Sequence, residues 1–92
     1  MLFIGLCKQI PGTNLESSVR RLQWEWPEDG PKIVAEYWLQ TEDPTVVVAF
    51  EADSVGPMMM TIAAWSDVFE ISIYPAVTAE EGMEMLQMMN PG

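Results

Sequence analysis

Residues 32–52 read KIVAEYWLQTEDPTVVVAFEA. Side chains at 32–40 alternate in polarity, which predicts a β-strand, and the row expected to face the core comprises Ile33, Ala35, Tyr37 and Leu39. Residues 45–52 are apolar and rich in β-branched side chains, which is typical of a central strand. The connection 41–44 is short enough for a hairpin loop. The segment therefore predicts an antiparallel pair of strands in the middle of the chain.

A helix is predicted on each side of this hairpin. The first begins at a capping box of Thr13 and Glu16 and stops at Pro27, and its expected buried face comprises Leu15, Val19, Leu22 and Trp26. The second is expected to begin at Asp53 or Ser54, and its expected buried face comprises Val55, Met58, Ile62 and Trp65. One predicted amphipathic helix thus precedes the hairpin in the sequence, and another follows it.

Two further strands are predicted, one before the first helix at residues 2–8 and one after the second helix at residues 68–76. A second capping box, at Thr78 and Glu81, begins a short helix that runs to about Met89. The order β-α-β-β-α-β predicts an α+β, ferredoxin-like fold in one domain, residues 1–92. Two right-handed split βαβ units place both helices on one face of a four-stranded antiparallel sheet, with the first and third strands central.

The composition excludes several classes of protein. Four basic residues stand against fourteen acidic ones, for a net charge of −10, so binding to nucleic acid or to an anionic membrane surface is not expected. The chain has no His and a single cysteine, Cys7, so we expect no disulfide, metal or cofactor. Since no signal peptide or membrane-spanning run is present, we expect a cytoplasmic location.

The sheet face away from the helices is the expected functional surface. If the apolar rows face the helices, this surface carries Phe3, Gly5, Cys7, Glu36, Trp38, Val47, Ala49, Glu51, Glu70, Ser72 and Tyr74. Its aromatic and small residues suit an interface between two copies of the chain. The expected interface residues are Phe3, Trp38, Val47, Ala49 and Ser72.

A cavity between two such faces would be lined by Glu36, Trp38, Glu51, Glu70 and Tyr74. Converging carboxylates act as general acids or bases or bind a hard cation, but at the rim they would simply pair with Arg20, Arg21 or Lys32. The side chains of Trp38 and Tyr74 would either bind a flat ligand or serve only in packing. Cys7 is expected to be a buried structural thiol, because no strong activating group precedes or follows it.

Residues 65–81 read WSDVFEISIYPAVTAEE and the chain begins with MLF. In these segments the chain resembles the family called domain of unknown function 3303, which is allied to the dimeric α/β-barrel proteins. The resemblance implies a homodimer whose two sheets close into a barrel around a cavity. It supplies no catalytic residues.

Three functions follow from these observations. The first is a dimeric module that binds a small molecule or a protein partner without catalysis. The second is a cofactor-free enzyme resembling a monooxygenase or isomerase, with Glu36 or Glu70 as its acid or base. The third is an interaction subunit that docks through the Met-rich C-terminal helix. Because His, a phosphate-binding glycine loop and metal-ligand spacings are lacking, a non-catalytic role is favoured.

Overall fold

The structure is a computed structural model and describes residues 1–90, so Pro91 and Gly92 of the expected domain lie outside it. Its elements are β1 (Leu2–Gln9), α1 (Asn14–Gln23), β2 (Lys32–Trp38), β3 (Val46–Glu51), a 3-10 turn (Gly56–Met58), α2 (Met59–Trp65), β4 (Phe69–Ala76) and α3 (Ala79–Met89). This succession confirms the predicted β-α-β-β-α-β order with an additional C-terminal helix.

The four strands form one antiparallel sheet in the order β2-β3-β1-β4. The central position of β1 and β3 is as predicted, and Pro75 lies on an edge strand, where a missing backbone N–H is tolerated. Gly5 lies opposite Val48 on β3, and a Cβ at this position would approach Val48 Cγ1 to 3.0 Å. A glycine therefore lets the two central strands carry large side chains around this point.

The core lies between the sheet and α2, in two adjoining clusters. One cluster comprises Cys7, Val46, Trp65, Val68 and Phe69, with Trp24 and Ile71 packed against it. The other comprises Phe3, Phe50 and Met58, with Trp26, Ile33, Ala52, Ile62 and Ile73 packed against it. The rings of Phe3 and Phe50 stack with centroids 5.4 Å apart. Of the expected buried face of α2, Val55 is instead exposed.

The face predicted for β1 is wrong. Phe3, Gly5 and Cys7 point toward the helices, and Phe3 is only 5 % exposed. Leu2, Ile4 and Leu6 occupy the other face. Since both rows of this strand are apolar, alternation of polarity gave no information on which row turns inward. Pairing decides it, because residues opposite each other share a face and Phe3 lies opposite the buried Phe50.

The face predicted for the second half of β2 is also wrong. The register between β2 and β3 shifts between Ile33 and Ala35. A bulge of this kind adds one residue to a strand and reverses the faces of all residues beyond it. Glu36 and Trp38 therefore lie on the helix side, while Ala35 and Tyr37 lie on the opposite side. The faces predicted for β3 and β4 are confirmed.

The orientation of α1 differs from the amphipathic prediction. Leu15 and Leu22 are 79 % and 81 % exposed, and Ser17 is the buried residue of this helix. The hydroxyl of Ser17 donates to Oε1 of the buried Gln9 at 2.9 Å. The Gln9 amide in turn donates to Thr13 Oγ1 at 2.7 Å and to the Val68 carbonyl at 3.1 Å. A buried amide requires such partners, so the polar face of α1 turns inward.

Of the three predicted helix caps, the one at α3 is confirmed, and those at α1 and α2 are absent. At α3 the capping box is present, with Glu81 N donating to Thr78 Oγ1 at 3.1 Å and Thr78 N donating to Glu81 Oε1 at 3.1 Å. At α1 it is absent: the Thr13 oxygen accepts from the Gln9 amide rather than from a helix N–H, and its hydroxyl donates to the Ile10 carbonyl. No side chain of Asp53 or Ser54 caps α2, whose first turn follows the 3-10 turn directly.

The C-terminal helix α3 projects from the body of the protein. None of its residues is buried, and its exposed apolar side chains are Met83, Met85, Leu86, Met88 and Met89. The radius of gyration is 15.4 Å, whereas a compact chain of this length has about 12 Å. The extra extension indicates that α3 has no packing partner among residues 1–90.

Replacing Ser17 with Ala leaves the buried oxygen of Gln9 without its donor. We expect Ser17→Ala to lower the free energy of unfolding by about 1–3 kcal/mol, measured by urea denaturation. The matched control is Ser18→Ala, at the exposed neighbouring position, where we expect a change within about 0.5 kcal/mol. Equal effects of the two substitutions would contradict the role assigned to the Gln9 hydrogen bonds.

Candidate functional site

The sheet surface opposite α1 and α2 is called the open face. Its apolar residues are Leu2, Ile4, Leu6, Ala35, Val47 and Ala49. Its tyrosines, Tyr37 and Tyr74, are 64 % and 55 % exposed. The central apolar side chains are half-buried by their neighbours in the sheet, and no helix covers them among residues 1–90.

A polar groove crosses one edge of the open face, with a cavity volume of about 260 Å³. Its lining residues are Leu6, Lys8, Asp43, Pro44, Glu70, Ser72 and Tyr74. Lys8 Nζ lies 3.8 Å from Glu70 Oε2. At the far end of the same face, Glu51 Oε2 lies 3.1 Å from the N-terminal amine. The open face thus combines an apolar centre with charged ends.

A second concavity, the aromatic cavity, lies on the helix side of the sheet. Its volume is about 50 Å³ within a concavity of about 490 Å³ that includes the open mouth. Its lining residues are Cys7, Arg21, Trp24, Trp26, Glu36, Val46, Val48, Met58, Thr61, Trp65, Phe69 and Ile71. The two concavities are on opposite faces of the sheet.

Three tryptophans and a phenylalanine form the walls of the aromatic cavity. Trp24 meets Trp26 edge-to-face with centroids 5.9 Å apart and meets Trp65 in the same way at 5.4 Å. Phe69 follows at 5.7 Å from Trp65. Such edge-to-face contacts stabilise aromatic pairs beyond the burial of their surface. The segment after α1 is held over the sheet by these rings.

Charged side chains stand at the mouth of the aromatic cavity. The carboxylate of Glu36 accepts from Trp26 Nε1 at 3.1 Å and from Trp38 Nε1 at 2.7 Å. The guanidinium of Arg21 lies over the ring of Trp38, with Cζ 4.8 Å from the centroid. The mouth therefore carries one negative charge, on Glu36, and one positive charge, on Arg21. Both side chains are held in place by contacts with indole rings.

Two polar side-chain atoms of residues that line the aromatic cavity have no hydrogen-bond partner among the residues that the structure describes. They are Trp24 Nε1 and Thr61 Oγ1, and both are shielded from solvent. Thr61 as a whole is only 5 % exposed. A buried donor without a partner is costly, and because neither atom is accessible to a water-sized molecule, this cost is not offset from the cavity.

Cys7 lines the same cavity and is buried. Burial, together with the nearby Glu36 carboxylate, raises the pKa of its thiol to about 11, and the Arg21 guanidinium opposes the rise. The thiol is therefore protonated at neutral pH and is a poor nucleophile. This placement agrees with the expectation of a structural thiol.

The structure divides the residues predicted to line one cavity. Glu51, Glu70 and Tyr74 lie on the open face, whereas Glu36 and Trp38 lie on the helix side. Of the predicted interface residues, Val47, Ala49 and Ser72 lie on the open face, Phe3 is in the core and Trp38 is on the helix side. The five cavity candidates therefore do not converge within one chain.

Sequence reasoning missed the polar atoms of the aromatic cavity. The sequence patterns single out neither Trp24 nor Thr61, and Arg21 enters only as a possible partner of carboxylates. One signal was present: Thr61 lies three residues after Met58 and four before Trp65, which places a hydroxyl on the buried face of α2.

Within residues 1–90, no group of three or more Cys, Asp and Glu side chains is arranged to hold a metal ion. In the same part of the chain, each helix is too short or too polar to cross a bilayer.

One family profile matches the sequence over residues 1–90, and it is described as a domain of unknown function, DUF3303. Because the match extends over nearly the whole chain, the chain belongs to the DUF3303 family. No curated protein and no solved structure matches it.

The buried thiol can be tested by its reactivity. A rise in pKa from 9.0 to about 11 lowers the thiolate fraction at pH 8 by about 100-fold. We expect Cys7 of the folded protein to react with an aromatic disulfide reagent at least about 100-fold more slowly than in guanidinium chloride. Because the chain has one cysteine, the absorbance change reports on Cys7 alone. Rates within about tenfold of each other would contradict its burial.

Proposed function

We propose that this member of the DUF3303 family is a non-catalytic homodimer that pairs through the open face and holds a small molecule between the two sheets. The observation that carries the proposal is the uncovered apolar centre of that face. Soluble monomers seldom leave a continuous apolar surface of several hundred Å² in water.

The geometry of the open face suits self-association. Four strands about 4.8 Å apart and six to eight residues long present roughly 450 Å² per copy. Two copies would remove roughly 900 Å² from water, slightly less than the about 1,000 Å² expected of a stable interface. The exposed apolar side chains of α3 supply further area. A dimer that uses both surfaces therefore reaches the required size.

Electrostatics also favours this face over the rest of the surface. Each chain carries a net charge of −10, so two copies repel each other at long range. On the open face, however, three positive groups, Lys8, Lys32 and the N-terminal amine, stand beside two carboxylates, Glu51 and Glu70. The proposed seam is thus locally close to neutral, and its charges lie at the ends rather than at the centre.

The polar groove provides the ligand-binding part of the proposal. The side chains of Lys8, Glu70 and Tyr74 line it, and in a face-to-face dimer they would border the space between the sheets. An ammonium, a carboxylate and a phenol recognise polar groups, while the apolar centre takes the rest of the molecule. Glu36, the other candidate acid or base, lies on the opposite side of the sheet, which favours binding over catalysis.

A second function is favoured by a separate observation, the lack of any buried residue in α3. Its acidic first turn carries Glu80 and Glu81, and its later turns are rich in methionine. Flexible methionine side chains adapt to varied apolar surfaces. In this second candidate, α3 docks on the apolar surface of another protein and the domain acts as an interaction subunit.

The pairing is tested by native mass spectrometry of protein purified from cells. We expect a species of about 20.8 kDa, twice the 10.4 kDa of one chain, with a reproducible additional mass from the bound molecule. Val47→Glu buries two like charges at the centre of the seam and should raise the dissociation constant by about 100-fold or more.

The matched control for Val47→Glu is Leu15→Glu, which adds the same charge to the outward side of α1 and should leave the dimer intact. A monomeric wild-type chain would contradict the pairing. A dimer without additional mass would retain the pairing and remove the support for a small ligand.

The role of α3 is tested by ending the chain at Val77. The docking role predicts that the melting temperature changes by only a few degrees, since no residue of α3 is buried, and that the capture of a partner from a cell lysate is lost. Leu86→Glu in the full chain should give the same loss with α3 still present. Unchanged capture by both variants would rule out the docking role, whereas loss of the dimer would assign α3 to pairing.

A further inference from the structure

The C-terminal helix α3 carries four of the eight methionines of the chain within its eleven residues. Three of them, Met85, Met88 and Met89, are between 53 % and 81 % exposed, so their sulfur atoms are accessible from solvent. An apolar docking surface needs only hydrocarbon, which Leu supplies as well as Met. What Met adds is a soft, polarizable thioether sulfur, so the composition of α3 directs attention to the chemistry of sulfur.

Helical spacing brings three of these sulfur atoms together. Met88 and Met89 follow Met85 by three and four residues, and side chains at such spacings have Cβ atoms about 5–6 Å apart on one face of a helix. Because helical side chains lean toward the N-terminus of the helix, those of Met88 and Met89 extend over Met85. Each has several rotatable bonds, so the three thioethers can converge on one point. We call these three residues the thioether cluster.

The charges around the thioether cluster favour a cation. The helix carries Glu80, Glu81 and Glu84 but neither Lys nor Arg, and Glu84 lies beside the cluster because it precedes Met88 by four residues. The cluster also lies at the C-terminal end of α3, where the helix dipole is negative and where the last turn has no basic side chain. A positive ion at this end of the helix is therefore stabilised by both effects.

The type of ligand atom determines which cation fits. Thioether sulfur binds the soft ion Cu(I), whereas Mg²⁺ and Ca²⁺ require oxygen ligands. The lack of His excludes the usual zinc sites but does not affect a site built from thioethers. Cys, His and carboxyl ligands must lose a proton before they bind a metal. A thioether has no proton to lose, so a site of this kind retains its metal at mildly acidic pH.

We propose that the thioether cluster binds one Cu(I) ion through the sulfur atoms of Met85, Met88 and Met89. Binding changes the oxidation state of neither the metal nor the protein. The site goes beyond the proposed function, because it lies on α3 rather than on the open face and is complete within one chain.

The test uses Ag(I), which shares the charge and the ligand preference of Cu(I) and is stable in air. The protein is labelled with ¹³C at the methyl groups of its eight methionines, and single Met→Leu substitutions assign the signals. We expect the signals of Met85, Met88 and Met89 to shift together with Ag(I), at pH 5 as at pH 7. The signals of Met59 and Met60 serve as internal controls, since consecutive residues do not face each other on a helix and these two should not move.

Met85→Leu is the decisive variant, because it keeps the apolar volume of the side chain and removes the central sulfur. It should weaken Ag(I) binding at least about tenfold, since even the loss of a group behind a metal ligand costs about 10–100-fold. The matched control is Met83→Leu in the same helix. Met83 lies about 160° around the helix from Met85, so its substitution should leave the affinity unchanged.

Two further variants separate the thioether cluster from other parts of the protein. Cys7→Ala removes the only thiol of the chain and should leave the three methionine shifts in place, with saturation at one equivalent of Ag(I). Val47→Glu, which is designed to disrupt pairing through the open face, should also retain these shifts. Failure of the pairing and failure of the metal site are therefore distinguishable.

Four results would overturn the proposal. The first is that no methionine signal shifts in excess Ag(I), and the second is that all exposed methionines shift alike, which would show unspecific binding to single thioethers. The third is that Met85→Leu and Met83→Leu weaken binding equally. The fourth is that the shifts are lost in Cys7→Ala, which would assign the ion to the thiol.

Discussion

The buried amide of Gln9 determines how the rest of the protein is arranged. Its oxygen accepts from Ser17, and its nitrogen donates to Thr13 and to the Val68 carbonyl. These bonds join β1 to the start and the middle of α1 and to the residue before β4. Because an unsatisfied amide in the core is costly, α1 turns its polar face inward. The apolar side of the helix faces solvent, and the segment with Trp24 and Trp26 is carried over the sheet.

The element order and the strand order were predictable from sequence, because hydrophobic periodicity and breakers are local signals. The alternation at 32–40 predicted β2, but nothing local marked the bulge that reversed Glu36 and Trp38. In β1 both rows are apolar, so only pairing with β3 decides that Phe3 is inside. The amphipathic pattern of α1 was misleading for a different reason: the partner of Ser17 is Gln9, on another element. The residues of the aromatic cavity were similarly hidden, since it forms only when α2 and the segment after α1 meet over the sheet.

The sheet separates two chemically different surfaces that the sequence had suggested were one. On the open face, apolar side chains reach the surface and the charges lie at the ends, as in an interface with a large partner. On the helix side, aromatic rings enclose a small space, and two buried polar atoms of its lining residues, Trp24 Nε1 and Thr61 Oγ1, lack partners among residues 1–90. A sheet of one layer keeps these surfaces within about 10 Å of each other. The position of β1 at the centre means that its alternate residues contribute to both.

The distribution of aromatic residues gives each side of the sheet its own chromophore. All four tryptophans of the chain, Trp24, Trp26, Trp38 and Trp65, lie on the helix side, and three of them have centroids within 5.9 Å of a neighbour. Both tyrosines, Tyr37 and Tyr74, lie on the open face. Light at the long-wavelength edge of the indole absorption band, beyond the phenol band, is thus absorbed on the helix side alone. Fluorescence excited at that edge therefore follows the helix side of the sheet without an added label.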